Sequence, residues 1–469
     1  MTQVSLRKNH PEPLAPSPAP PGTPSEPRPS STPTADGGPD RVVRARAWAG
    51  ASAQTWTAPF SKQAQRNARL ALAAEPVLDP ENPHVRRMGR IRNALARVGI
   101  DLRQLDPKQA PRLHVLDVGV QHGNAVVRTA AGQAGLARGA EISLDVDDPD
   151  PARLHRIVGP TPSAASADVV ALARAMEGGT ATEAQVAELM EAILAGWVNH
   201  LRCAVAEVRY DAPKDNRMTV LNLSLAWSPR QVARDQLLPL LQLTPPQSPL
   251  GKALAGAPGN SFTDKAVALA QRAWTQNPRR GTLAAARALL EAELARGQNQ
   301  GILAVKAMGN QGDSPLSPPA VAGVADLVEV GAVNRNGPVW VADFSSVGRP
   351  DLSAPGVGLP VGRGGTPKDG TSFATPLVAS VVWAMVAVNP NLEADDVEQL
   401  LKDPRLLHEL PEPDRAGAGS LDPFAAILVA KYPQASEADI EAARNAAFDE
   451  PPNLKALQEV RQRLTSSRP

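Results

Sequence analysis

The sequence predicts an α/β fold: a mostly parallel sheet covered by helices on both faces, flanked by helical segments and preceded by a disordered, proline-rich tail. Two observations carry the sheet. From Pro111 onward, short apolar runs that end in Gly or Asn alternate with helical patterns: RLHVLDVG, AVVRTAAGQAG, AEISLDV, TEAQVAELMEAILAGWV, TVLNLSL, LAAARALLEAELARG and GILAVKAMGN. That rhythm specifies βαβ units with right-handed crossovers, and it puts ligand chemistry at the carboxyl ends of the strands. Second, Thr182 and Gln185 make a capping box that opens one of these helices, so a local signal agrees with the periodicity. The tail rests on composition. Eleven of the 47 prolines fall within residues 1–42, among Ser, Thr, Gly and few large apolar groups, and such a stretch cannot bury enough surface to offset its ordering entropy.

Residues 43–107 are expected to form a helical extension, because SKQAQRNARLALAAE (61–75) and VRRMGRIRNALARV (85–98) carry helix formers with apolar groups three and four apart. The main domain is expected over 108–433, interrupted at 229–281 by an insertion rich in Pro, Gln and Ala with one clear helix at 264–275. Residues 434–469 form a second helical extension.

Apolar content of 42% and charged content of 21% are ordinary for a globular protein. A formal net charge of +1 supplies no field to recruit nucleic acid or an anionic membrane, so neither is expected as a partner. Cys203 is the only cysteine, which excludes an intramolecular disulfide and a cysteine-based zinc site. It sits on an apolar face in HLRCAVAEV and reads as an inert core thiol. The first residues hold no apolar stretch of signal-peptide length, so the expected location is cytoplasmic, with export by a non-Sec route left open. No cofactor and no metal site is expected.

Chemistry concentrates in four places. GTSFATP at 370–376 delivers Ser372 to the first turn of a long apolar helix, where a hydroxyl sits in a positive local field and its own backbone N–H faces a bound oxyanion. A hydroxyl is a weak nucleophile until a base takes its proton. Of the seven histidines, His122 in VLDVGVQHGNAVV is the one followed by Gly that opens a helix directly after a strand. His114 lies inside the preceding strand and reads as a packed or surface group. A carboxylate must then orient the imidazole. Asp117 ends RLHVLD, five positions before His122, and the loop between them can fold back to join the two side chains. Finally, ILAVKAMGNQG ends a strand in Gly309 and Asn310, offering a side-chain amide that contributes on the order of 3 kcal/mol if aimed at a developing oxyanion.

Taken in order, VLDVGV, HGNAVV, VLNLSLAW, AVKAMGNQG, ADFSSVGRPDLSAPGVG and GTSFATPLVAS resemble the Asp, His, substrate-strand, oxyanion-Asn and Ser blocks of the subtilases, over about residues 110–430. The resemblance implies a subtilisin-like fold and a serine endopeptidase acting on protein or peptide substrates. It places Asp117, His122 and Ser372 in a triad, with Asn310 as oxyanion donor. It also implies that the substrate adds as a strand beside Asn222–Trp227, with Ser224, Leu225 and Ala226 as contacts. Ala226 stands where most relatives have Gly, which implies a narrower primary pocket. Two further departures are Asn124, where a small hydroxyl residue is usual, and the near fusion of the Asp and His blocks, usually tens of residues apart. That compression leaves a catalytically impaired, peptide-binding or regulatory scaffold as the alternative. An imidazole base implies a neutral optimum. The basic helices before the domain show no strand alternation, so no inhibitory propeptide is assigned. Asp145, Asp147, Asp148 and Asp150 in SLDVDDPDPAR read as an acidic solvated loop, with a preference for basic substrates as the alternative. The 229–281 insertion reads either as a cap that restricts access or as a peripheral elaboration, and the two tails could recruit a partner.

Overall fold

The computed structural model of the chain describes residues 59–117, 120–145, 164–277, 281–314, 316–334 and 339–466. The proline-rich tail and Asp147, Asp148 and Asp150 lie outside them. The strands are β1 (Arg112–Leu116), β2 (Ile142–Asp145), β3 (Thr219–Leu223), β4 (Ile302–Ala307), β5 (Leu327–Asn334), β6 (Trp340–Val341), β7 (Leu352–Pro355), β8 (Leu407–His408) and β9 (Ser420–Leu421). They form one sheet in the order β2-β1-β3-β4-β5-β7-β9-β8, with β6 off β5. Every pairing is parallel except β5 with β6 and β8 with β9. The predicted α/β class is thus the observed one.

Helices cover both faces because alternate strand residues point in opposite directions. Leu303 and Val305 of β4 enter one core and Ile302 and Ala304 the other. The first core is closed by α1 (Lys62–Ala73), α2 (Pro83–Arg97), α3 (Val120–Ala131), α9 (Thr371–Val388), α10 (Ala394–Leu401), α11 (Pro423–Lys431), α12 (Glu437–Phe448) and α13 (Leu454–Ser466). The second is closed by α4 (Ala164–Glu177), α5 (Glu183–Asp211), α7 (Phe262–Gln276) and α8 (Gly281–Gln298). The capping box at Thr182 and Gln185 is present at the start of α5. By length and composition α9 could cross a membrane, but 94% of it is buried inside the fold. A helix apolar all round belongs in a core.

The insertion holds more helix than its sequence suggests. Pro229–Gln231 leads through a π-helical turn, Val232–Leu237, into Leu238–Leu241, and α6 (Pro249–Ala255) precedes α7. Prolines blur the periodicity here, yet Ser228–Pro229 and Ser248–Pro249 each place a capping hydroxyl before a proline in the first turn, where the missing N–H costs nothing. Val232, Leu237, Leu254, Leu269 and Ala273 are buried in the second core beside α5.

Candidate active site

The carboxyl ends of β1, β3 and β4 converge with the amino termini of α3 and α9. Asp117 follows β1 directly; its backbone N–H donates to the Asp145 carbonyl at 2.8 Å, and its carboxylate is fully buried. His122 lies in the first turn of α3 with its side chain 38% exposed. Its Nδ1 donates to Asp117 Oδ2 at 2.7 Å. An ionised carboxylate has no proton to give, so the bond assigns the hydrogen to Nδ1 and leaves the Nε2 lone pair to accept one. The His122 ring lies 5.5 Å from that of Phe373, the residue after Ser372.

Ser372 sits in the first turn of α9, which starts at Gly370 without a side-chain cap of its own. The cap comes from another strand. Asn310 Oδ1 accepts from both the backbone N–H and the hydroxyl of Thr371, each at 2.9 Å, satisfying an amide that has no intrahelical partner. Two donors at the oxygen fix the amide's orientation and leave Nδ2 as its donor end. A Cβ on Gly370 would stand 3.2 Å from that Nδ2, a tight contact, at a φ of +152°, a backbone conformation that favours glycine. The Thr371 hydroxyl also accepts from Gly309 N at 3.0 Å, tying the β4 loop to the helix start.

Ser224 and Ser372 are joined twice. Ser372 Oγ donates to the Ser224 carbonyl at 3.1 Å, and Ser224 Oγ donates to the Ser372 carbonyl at 2.9 Å. Asn222 Nδ2 in turn donates to Ser224 Oγ at 3.0 Å. Of the three substrate-contact candidates, Ser224 is therefore engaged with the nucleophile, Leu225 is buried in the second core, and Ala226 is half-buried beside Gly309. Sequence reasoning missed Thr371 and Arg230. The latter's guanidinium donates to the Gln311 carbonyl at 2.6 Å and is a contact of the insertion with the cleft.

Two other residues singled out from sequence lie elsewhere. His114 is fully buried in β1, with Nδ1 2.6 Å from Ser143 Oγ and Nε2 3.3 Å from Asp145 Oδ2, so it is packed structure. Cys203 is buried, and burial pushes its thiol up, which suppresses the thiolate.

A parallel sheet with an Asp–His pair, a serine at a helix amino terminus and a carboxamide at its carboxyl edge defines a class of protein with the parts for acyl transfer. Residues 120–419, well over half of the chain, match the profile described as the Subtilase family, and the chain belongs to that family. The match begins three positions past Asp117. The chain is 41% identical over 105 residues to the cell wall-associated protease of Bacillus subtilis, covering 22% of this chain and 11% of that protein. It is 29% identical over 153 residues to the serine protease AprX of the same organism, covering 26% and 34%. The matched regions thus span about a third of one of those relatives and about a tenth of the other. Among solved structures, the MycP3 protease from the type VII (ESX-3) secretion system overlays with 18% identity and a TM-score of 0.40, covering 75% of this chain and 91% of that one.

Proposed function

We propose that the chain is a serine endopeptidase that hydrolyses peptide bonds through an acyl-enzyme on Ser372. The observation that carries this reading is the 2.7 Å bond from His122 to the buried Asp117 carboxylate, beside a serine that begins a buried helix. Rotation about the Ser372 Cα–Cβ bond, between staggered wells, turns Oγ from the Ser224 carbonyl toward His122 Nε2. Oγ then attacks the scissile carbonyl carbon and its proton passes to Nε2; Asp117 stabilises the imidazolium, and Asn310 Nδ2 with the Ser372 backbone N–H stabilises the oxyanion. Collapse breaks the C–N bond, and the departing amine takes the proton from Nε2. Water repeats the sequence on the ester, regenerating Ser372 and releasing the acid.

The scaffold alternative drew its support from the short Asp–His loop, and the hydrogen bond across that loop favours the peptidase. Labelling the full chain with a fluorophosphonate tests the proposal. The parent protein is expected to label, Ser372→Ala not at all, and Asp117→Asn about four orders of magnitude more slowly, since the amide holds the imidazole in the wrong tautomer. A parent protein that stays unlabelled would overturn it.

A further inference from the structure

For the reaction just described, the scissile carbonyl carbon must reach Ser372 Oγ while its oxygen faces Asn310 Nδ2 and the substrate main chain runs beside residues 224–226. The side chain of the residue that supplies that carbonyl therefore enters between two walls, one formed by residues 224–227 and the other by 308–310.

Those walls already touch. A Cβ placed on Gly309 would stand 3.2 Å from the Ala226 methyl and 3.1 Å from Ser346 Oγ. A carbon–carbon bond spans about 1.5 Å, so the Ala226 methyl lies within about 5 Å of the Gly309 Cα. A carbon inserted between them needs roughly 3.5–4.0 Å to each side, about 7–8 Å in all. No methylene or ring edge passes at that depth.

The walls are also braced against spreading. Just beyond Ala226, Ala320 N donates to the Trp227 carbonyl at 2.7 Å and Arg230 N to the Leu316 carbonyl at 2.9 Å. The Arg230 guanidinium reaches the Gln311 carbonyl at 2.6 Å, and Ser317 Oγ donates to the same oxygen at 2.8 Å. Behind the second wall, Ser346 holds the loop from both sides: its N–H donates to the Gly309 carbonyl and its Oγ accepts from Gln311 N, each at 3.0 Å. Admitting a large side chain would break several of these bonds together.

We infer that this cleft selects substrates with glycine, alanine or serine at the residue that supplies the scissile carbonyl, and that the Ala226 methyl sets the limit. This rests on the acyl-transfer reading above. The test is a series of peptide nitroanilides that differ only in that residue, given to the full chain and to Ala226→Gly, with fluorophosphonate labelling run in parallel because that probe carries no amino-acid side chain. The parent protein is expected to show kcat/KM about 100-fold higher for alanine than for leucine or phenylalanine, and Ala226→Gly to shrink that ratio about tenfold. Labelling without discrimination between alanine and phenylalanine would overturn the pocket inference alone. Neither labelling nor hydrolysis would overturn the acyl-transfer reading and the inference with it. The parent series decides the matter even if the variant fails to fold.

Discussion

In the proposed mechanism Asn310 joins two jobs in one side chain, since its oxygen caps α9 through Thr371 and its nitrogen is left as the donor to the oxyanion. Asn310→Ala is expected to lower kcat by about 10²–10³ with little change in KM, because the donor acts on charge that develops only in the transition state. Thr371→Val removes one of the two bonds that orient the amide and keeps the other, so a smaller fall in kcat is expected, again with KM steady; a rise in KM alone would show that the pair serves binding instead. These two residues also mark what the sequence could and could not reveal. Ser372, His122 and Asn310 were legible because each stands in a short local pattern at the end of a strand or the start of a helix. Thr371, Arg230 and Asn222 were not. Thr371 acts on a residue 61 positions away and Arg230 on one 81 positions away, while Asn222 supports Ser224, whose partner lies 148 positions on. Nothing in their local composition encodes such pairings, which exist only once β3, β4 and α9 meet.

At the scale of elements, the start of α11 is tied to β8 and α12 through one buried carboxylate. Asp422 Oδ1 accepts from the N–H groups of Phe424 and Ala425 at 3.0 and 3.2 Å, while Oδ2 meets His408 Nε2 at 3.3 Å and the Arg444 guanidinium. Burial would raise its pKa, but the bond to His408 and the charge of Arg444 outweigh it and hold the carboxyl at about 2. The folded form thus binds this proton more weakly than the unfolded chain does. The resulting stabilisation, roughly 2 kcal/mol, is complete above about pH 4 and is lost as pH falls through about 2. Arg444→Met is therefore expected to lower the melting temperature at neutral pH and to flatten the acid side of the stability curve between those values. Thermal melts that fall in parallel with the parent from pH 4 to 2 would contradict the assignment. The rhythm of strand and helix from Pro111 to Asn310 specified β1 to β4 and, between them, α3, α5 and α8. The short helices of the insertion escaped because prolines blur their periodicity, although Pro229 and Pro249 are first-turn residues behind serine caps.

For the molecule as a whole, packing runs across the boundaries that sequence character suggests at residues 107 and 434. Met88, Ile91 and Leu95 of α2 and Ile440, Leu457, Val460 and Leu464 of α12 and α13 lie in the same buried core as Val305 of β4 and Trp383 of α9. The two extensions also hold each other: Arg97 donates to the Ala447 carbonyl at 2.7 Å, Arg461 donates to the Arg97 carbonyl, and the Arg90 guanidinium lies 5.6 Å over the Phe448 ring. Burying four large aliphatic side chains from the C-terminal helices contributes about 1.5–3 kcal/mol each, a sum comparable with the whole net stability of a typical domain. A fragment spanning residues 108–433 is therefore expected to lose its cooperative melting transition and to be digested rapidly by an added protease. A chain lacking only residues 1–58 keeps every one of these contacts and is expected to melt like the parent. If the 108–433 fragment instead melts cooperatively within a few degrees of the full chain, the terminal helices are peripheral, and any loss of activity on removing them would have to arise at the cleft.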